Sequence, residues 1–320
     1  MSIDILPGIG ATIYGDLPRL LSRGDTREVI EASDFVTLHT AADAADVEHA
    51  AAVRRAGCER VWLAIPANYL SRRALERGIA SAVSEAERCA RIALDAGAEV
   101  FELNGEGASD GLRPGDWTSA PSDPVEARRL GELAVAVLEA VTDAFNGRAA
   151  VAWTSHDMPG FRLPWHEILS RVDLHAPQHY PAQPQRLVSQ RELEARVERS
   201  RGRWEALAER GGVEPASIPW GPRWAPYLQG WGHQTGALVW GLSCAPIARL
   251  WAWPGSWSPQ GQTALVAARR LRAVVGHGPD AVERFQRSRG LTGDGIVGPQ
   301  TLAALDDATA VKLARSAAGG

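Results

Sequence analysis

The chain has 320 residues, 45% hydrophobic and 22% charged, with a formal net charge of −4. That length suffices for a large core plus a small second unit. The weak charge argues against broad nucleic-acid binding, and no apolar run reaches membrane-spanning length. Cys58, Cys89 and Cys244 are far apart and fit no metal spacing, so buried free thiols are expected. The N-terminus lacks a basic stretch followed by an apolar run, so no signal peptide is expected and the protein stays cytoplasmic until released.

In chain order, Ala11–Tyr14 reads as a strand followed by a helix within the first 33 residues. Asp34–His39 is the next strand and Ala45–Ala56 a helix ending at Gly57; Arg60–Ile65 is a strand stopped by Pro66. Ile79–Ala96 is a long helix closed by Gly97, and Ala98–Leu103 a strand. A helix capped at Asp123-Pro124 runs to Phe145, and Ala149–Thr154 is a strand. Trp165–Ser170 is a short helix, Val172–Ala176 a strand, and Arg191–Arg210 a charged helix closed by two glycines. Ser217–Trp220 is a candidate strand despite its proline, Thr235–Cys244 fits helix or strand, Ala248–Trp253 is a strand and Pro259–Val275 a helix.

Repeated strand–helix alternation implies parallel strands with helical crossovers. Seven to eight such units over about 240 residues match a (β/α)8 barrel. An open doubly wound sheet is the rival, but Leu38–Asp43 after an early strand is not a GxGxxG loop. The expected class is therefore α/β, a (β/α)8 barrel over residues 1–258 with a small helical unit over 259–320.

The C-terminal stretch Ala281–Leu305 reads helix, Gly-rich turn, helix, with Val282, Phe285 and Gln286 on one helical face and turns at Asp294-Gly295 and Gly298-Pro299. Phe285, Gln286, Gly290, Leu291, Asp294, Gly295, Val297, Gly298, Thr301 and Leu305 carry a resemblance to the second half of the peptidoglycan-binding domain family of cell-wall enzymes. The first half of that family is not evident; Ala264–Val275 stands where a compressed first helix would fall. The resemblance implies a peptidoglycan partner. The plainer alternative is a helical tail packed on the main domain.

In (β/α)8 barrels the active site lies at the C-terminal strand ends. The strand ending Phe101-Glu102-Leu103-Asn104-Gly105-Glu106 places Glu102 and Asn104 toward the axis if Phe101 and Leu103 face the helices. Glu106 follows at the rim. Other strand ends supply His156 and Asp157, then His175, His179 and Tyr180, then Trp253. Nine of the 12 tryptophans lie between Trp153 and Trp253, Trp224 among them; indole faces suit sugar rings, and core packing is the alternative. Carboxylates with aromatic side chains compose a glycan site. The catalytic candidates are Glu102, Glu106 and Asp157; the substrate-binding candidates are Asn104, His156, His179, Tyr180, Trp224 and Trp253. In general layout the chain is similar to barrel glycosidases, without the Asp-x-x-Asp-x-Asp-x-Glu run of the chitinase type. The expected protein is a monomeric, cofactor-free peptidoglycan hydrolase of endolysin character. The alternatives are a non-catalytic glycan-binding or structural barrel of a phage or secretion machine, and a zinc amidase with ligands among Glu102, Asp157, His156, His175 and His179.

Overall fold

Parallel strands covered by helices on one side and by each other's side chains on the other are buried on both faces and read as continuous apolar runs. A computed structural model describes residues 5–14, 16–66, 76–104, 124–156, 165–179, 187–229, 233–251 and 259–306. Its strands are β1 (Gly8–Tyr14), β2 (Phe35–His39), β3 (Val61–Pro66), β4 (Val100–Asn104), β5 (Ala150–His156), β6 (Leu174–His179), β7 (Tyr227–Gln229) and β8 (Ile247–Trp251). They form a closed barrel in sequence order, and β8 pairs in parallel with β1.

The helices are α1 (Leu17–Leu21), α2 (Gly24–Glu31), α3 (Ala45–Arg55), α4 (Ile79–Asp95), α5 (Pro124–Phe145), α6 (Trp165–Leu169), α7 (Gln190–Ala208), α8 (Thr235–Cys244), α9 (Pro259–Val275), α10 (Ala281–Ser288) and α11 (residues 299–306). α4 buries Ala82, Ala86, Cys89, Ala90 and Ala93, a single stripe of small residues at helical spacing. α7 begins with a capping box, in which Ser189 and Glu192 satisfy each other's backbone amides.

Two expectations change here. The seventh strand is not Ser217–Trp220; that segment starts at the last residue of a 3₁₀ turn, Pro215–Ser217, and has Trp220 at φ 71°. Pro219 has no amide to give a ladder, and the pairing passes to the three residues of β7. The second change concerns α9, placed above in the C-terminal unit. Arg272 on α9 donates to the carbonyls of Gly8 (3.2 Å) and Pro246 (2.6 Å), and Arg269 pairs with Asp34 at 2.8 Å. α9 thus packs on the barrel as the helix following β8, so a boundary at 258/259 and a compressed first helix of the C-terminal unit do not match its packing.

What remains of that unit is organised by one glutamine. Gln286 Nε2 donates to Asp294 Oδ1 (2.8 Å), Ile296 O (2.9 Å) and Thr301 Oγ1 (3.1 Å), and its Oε1 accepts from Gly295 N (2.9 Å). The turn is clipped to the barrel by Gln190 on α7, whose Nε2 donates to Gly295 O (2.6 Å) and whose Oε1 accepts from Val297 N (2.9 Å). At Gly236 on α8 a Cβ would lie 2.5 Å from Val297 O, so only glycine lets the turn approach this closely.

Candidate active site

Alternation along each strand divides the barrel interior into rows. At the base lie Phe35, Trp62, Val100, Ala152, Leu174, Ala225 and Ile247. Phe35 stacks on Trp62 with ring centroids 4.1 Å apart, and fills space that β1 leaves open: a Cβ on Gly10 would be 2.3 Å from its ring.

The row above is polar. Phe101 and Leu103 join the outer, helix-facing core, so Glu102 points to the axis as expected. There its carboxylate is fully engaged. Oε1 accepts from Tyr227 Oη (2.6 Å) and from Thr154 Oγ1, and Oε2 pairs with the Arg249 guanidinium. Arg249 also donates to Tyr227 Oη (2.8 Å) and lies over the Tyr227 ring, 3.8 Å from its centroid. Glu102 is 1% exposed and Arg249 0%. Burial pushes the Tyr227 phenol well above its ordinary range, so it stays a neutral donor. A general acid must reach the leaving oxygen of the substrate, and this carboxylate reaches Arg249 instead. Glu102, named above as a catalytic candidate, is thus held below the mouth by Arg249, Tyr227 and Thr154.

The top row, nearest the mouth, contains Tyr14, His39, Gln178 and Trp251. Tyr14 meets His39 edge-on (centroids 4.7 Å), and Trp251 lies 5.9 Å from Tyr14 and 5.7 Å from His39. Burial depresses His39 to about 4, only partly offset by the nearby Glu102 charge, so its ring is neutral at pH 7. Beside this row, Tyr14, His39, Leu17, Asp16, Asp43 and Asp46 border an open cavity of about 410 Å³. The sequence had pointed to none of Tyr14, His39, Gln178 or Trp251 as site residues. Their signal was the same strand-end rule applied to β1, β2, β6 and β8, with the alternation counted from the helix-facing residues.

Two further expectations are corrected. His179 is 0% exposed and packs edge-on against Trp224 (5.8 Å), which is 2% exposed and belongs to the helix-facing core. Strand alternation from Ala176, which packs with Tyr227 and Trp251, puts His179 on the outer face of β6. Neither residue lines the mouth. His175 is on the same outer face: Nδ1 donates to Ser217 O (2.6 Å), Nε2 accepts from Ser155 Oγ (2.7 Å), and burial depresses it to about 4. The zinc alternative therefore loses His175 and His179 at the mouth, and among the described residues no three His, Cys, Asp or Glu side chains converge as metal ligands. Asn104 and His156 end β4 and β5. Glu106, Asp157, Tyr180 and Trp253 lie outside the described residues. Of the tryptophans, Trp153, Trp165, Trp204, Trp224 and Trp240 are core.

Residues 280–305 match the family model described as "Putative peptidoglycan binding domain". No curated protein sequence matches the chain. Among solved structures, the GH18 chitinase ChiB from the chitin utilization locus of Flavobacterium johnsoniae superposes with a TM-score of 0.55 at 8% identity, over 82% of this chain and 93% of that one. The Bacillus cereus spore cortex-lytic enzyme SleL gives 0.51 at 8% identity, over 82% and 74%. A D-psicose 3-epimerase gives 0.49 at 12% identity, over 85% and 100%. At these identities the likeness is one of fold.

Proposed function

We propose that this protein is a glycoside hydrolase acting on peptidoglycan. The observation that carries the reading is the peptidoglycan-binding match at 280–305, clipped through Gln190 onto a barrel whose axial mouth is aromatic and polar. A wall-binding unit held against a catalytic barrel raises the local concentration of glycan at the mouth.

With Glu102 engaged by Arg249, the proposed acid is Glu106, two residues beyond the end of β4, and the second carboxylate is Asp157, the first residue after β5. In the run Glu99-x-x-Glu102-x-Asn104-x-Glu106, the chitinase-type spacing is kept while glutamate or asparagine replaces each aspartate. Glu106 would protonate the glycosidic oxygen as the bond to the anomeric carbon breaks, and Asp157 would act as base or nucleophile. Release by lysis or by a secretion machine would bring the protein to the wall.

The test is digestion of purified peptidoglycan by wild type, Glu106→Gln and Asp157→Asn, with mass spectrometry of the products. New reducing ends from wild type, reduced about 100-fold or more in Glu106→Gln, are expected. Released free peptides would redirect the assignment to an amidase. A second reading, a glycan-binding barrel without catalysis, draws on the Glu102–Arg249 pair, which removes the one axial acid among the described residues. It predicts retention on peptidoglycan with no released fragment.

A further inference from the structure

Gln178 is a buried polar group that the fold does not use. It lies one residue before the end of β6, on the axial face shared with Ala176, and is in register with His156 on β5 and Tyr227 on β7. It is 2% exposed, and among the described residues neither its Oε1 nor its Nε2 has a hydrogen-bond partner. Buried carboxamides are normally satisfied, and buried Gln190 and Gln286 are examples: each uses both ends of the amide. The groups around Gln178 do not compete for it. Tyr227 Oη is held between Glu102 and Arg249, and that ion pair compensates its own charge in the row below. At the mouth, Tyr14 and Trp251 pack against each other at 5.9 Å, and His39 is uncharged at neutral pH.

We propose that Gln178 is a substrate-specificity residue of the barrel mouth. It takes one neutral sugar ring of the bound glycan through two adjacent polar substituents. Nε2 donates to a hydroxyl oxygen, and Oε1 accepts from the neighbouring hydroxyl or N–H. Tyr14 and Trp251 form the apolar wall against which the ring is held. The carboxamide is left unmet in the free protein so that binding, not folding, satisfies it; a site built to hydrogen-bond a substrate hydroxyl rejects analogues that lack it. The proposal rests on the glycan reading above, and it concerns recognition only.

The test compares the full-length wild type with Gln178→Met, which keeps length and removes both polar atoms. Thermal melting, calorimetric titration with a soluble peptidoglycan tetrasaccharide, and KM and kcat on peptidoglycan are measured. Gln178→Met is expected to melt no lower than wild type, because an unmet polar group leaves the core. It is expected to bind the tetrasaccharide about tenfold or more weakly and to raise KM more than it lowers kcat. Unchanged affinity and KM in a variant that melts normally would overturn the proposal and leave the glycan reading standing. So would a large drop in melting temperature at wild-type affinity, which would make Gln178 a packing residue. A wild type that neither binds nor cleaves the glycan would overturn both.

Discussion

Glu102 and Arg249 illustrate how one buried pair decides the use of a residue. Taking a carboxylate out of water is costly unless it is paired and hydrogen-bonded, and here Arg249, Tyr227 and Thr154 supply every partner. Arg249→Met leaves the carboxylate buried without its counter-charge, so a loss of about 3–5 kcal/mol is expected. Adding Glu102→Gln to that variant should recover part of it. Denaturant unfolding checks this, and a single variant as stable as wild type would show that the pair is not needed. Among the buried histidines, three set the acid limit: His39, His175 and His233, the last just before α8 and 1% exposed. Each is depressed to about 4 by burial, against about 6.5 in the unfolded chain. Between those values the unfolded state binds more protons, so their contribution is complete above pH 6.5 and is lost as pH falls toward 4, by on the order of 3 kcal/mol each. Melting temperatures from pH 7.5 to 4.5 should fall steeply in that window. A folded His175→Gln variant should show a shallower slope.

At the scale of elements, the C-terminal turn depends on contacts that are distant in sequence. Gln286 closes the turn from within, while Gln190 and Gly236 hold it to α7 and α8. Gln286→Ala removes the acceptor of the Gly295 amide and a donor to three oxygens, so proteolysis of the 289–298 loop should accelerate while the barrel persists. Gly236→Ala forces a methyl against the Val297 carbonyl and should loosen the unit without altering its internal hydrogen bonds. Hydrogen exchange at the amides of Val297 and Gly295 separates the two: Gly236→Ala exposes Val297 first, and Gln286→Ala exposes both. Proline and glycine also mark where strand reading failed. Pro219 vetoed a strand at Ser217–Trp220, and the true seventh strand was too short to show a pattern.

For the whole molecule, the unit behaves in this structure as part of the barrel's outer layer. α8 buries every residue from Ala237 to Cys244, its cover coming from the barrel, α9 and α10. Deleting residues 277–320 should therefore expose apolar surface and, if the proposed function holds, also remove wall binding. The expected result is a lower melting temperature and aggregation on size exclusion, along with loss of retention on peptidoglycan. A truncated chain that stays monomeric and equally stable would describe a module that merely hangs from the barrel.

Much of the architecture was legible in the sequence. Strand–helix alternation is a local property of hydrophobic period, and the Phe285-Gln286 and Asp294-Gly295 signature is local turn chemistry, so the eight-stranded barrel and the C-terminal match both followed from the chain alone. Glu102 facing the axis followed too, because strand alternation is geometric. What alternation cannot contain is the partner across the barrel. Arg249 lies 147 residues from Glu102, and only closure of β8 onto β1 brings them together. The same closure set Trp224 and His179 among the helices, assembled Tyr14, His39, Gln178 and Trp251 at the mouth, and gave α9 to the barrel. Local period determines which face a side chain takes; long-range packing decides what it meets there.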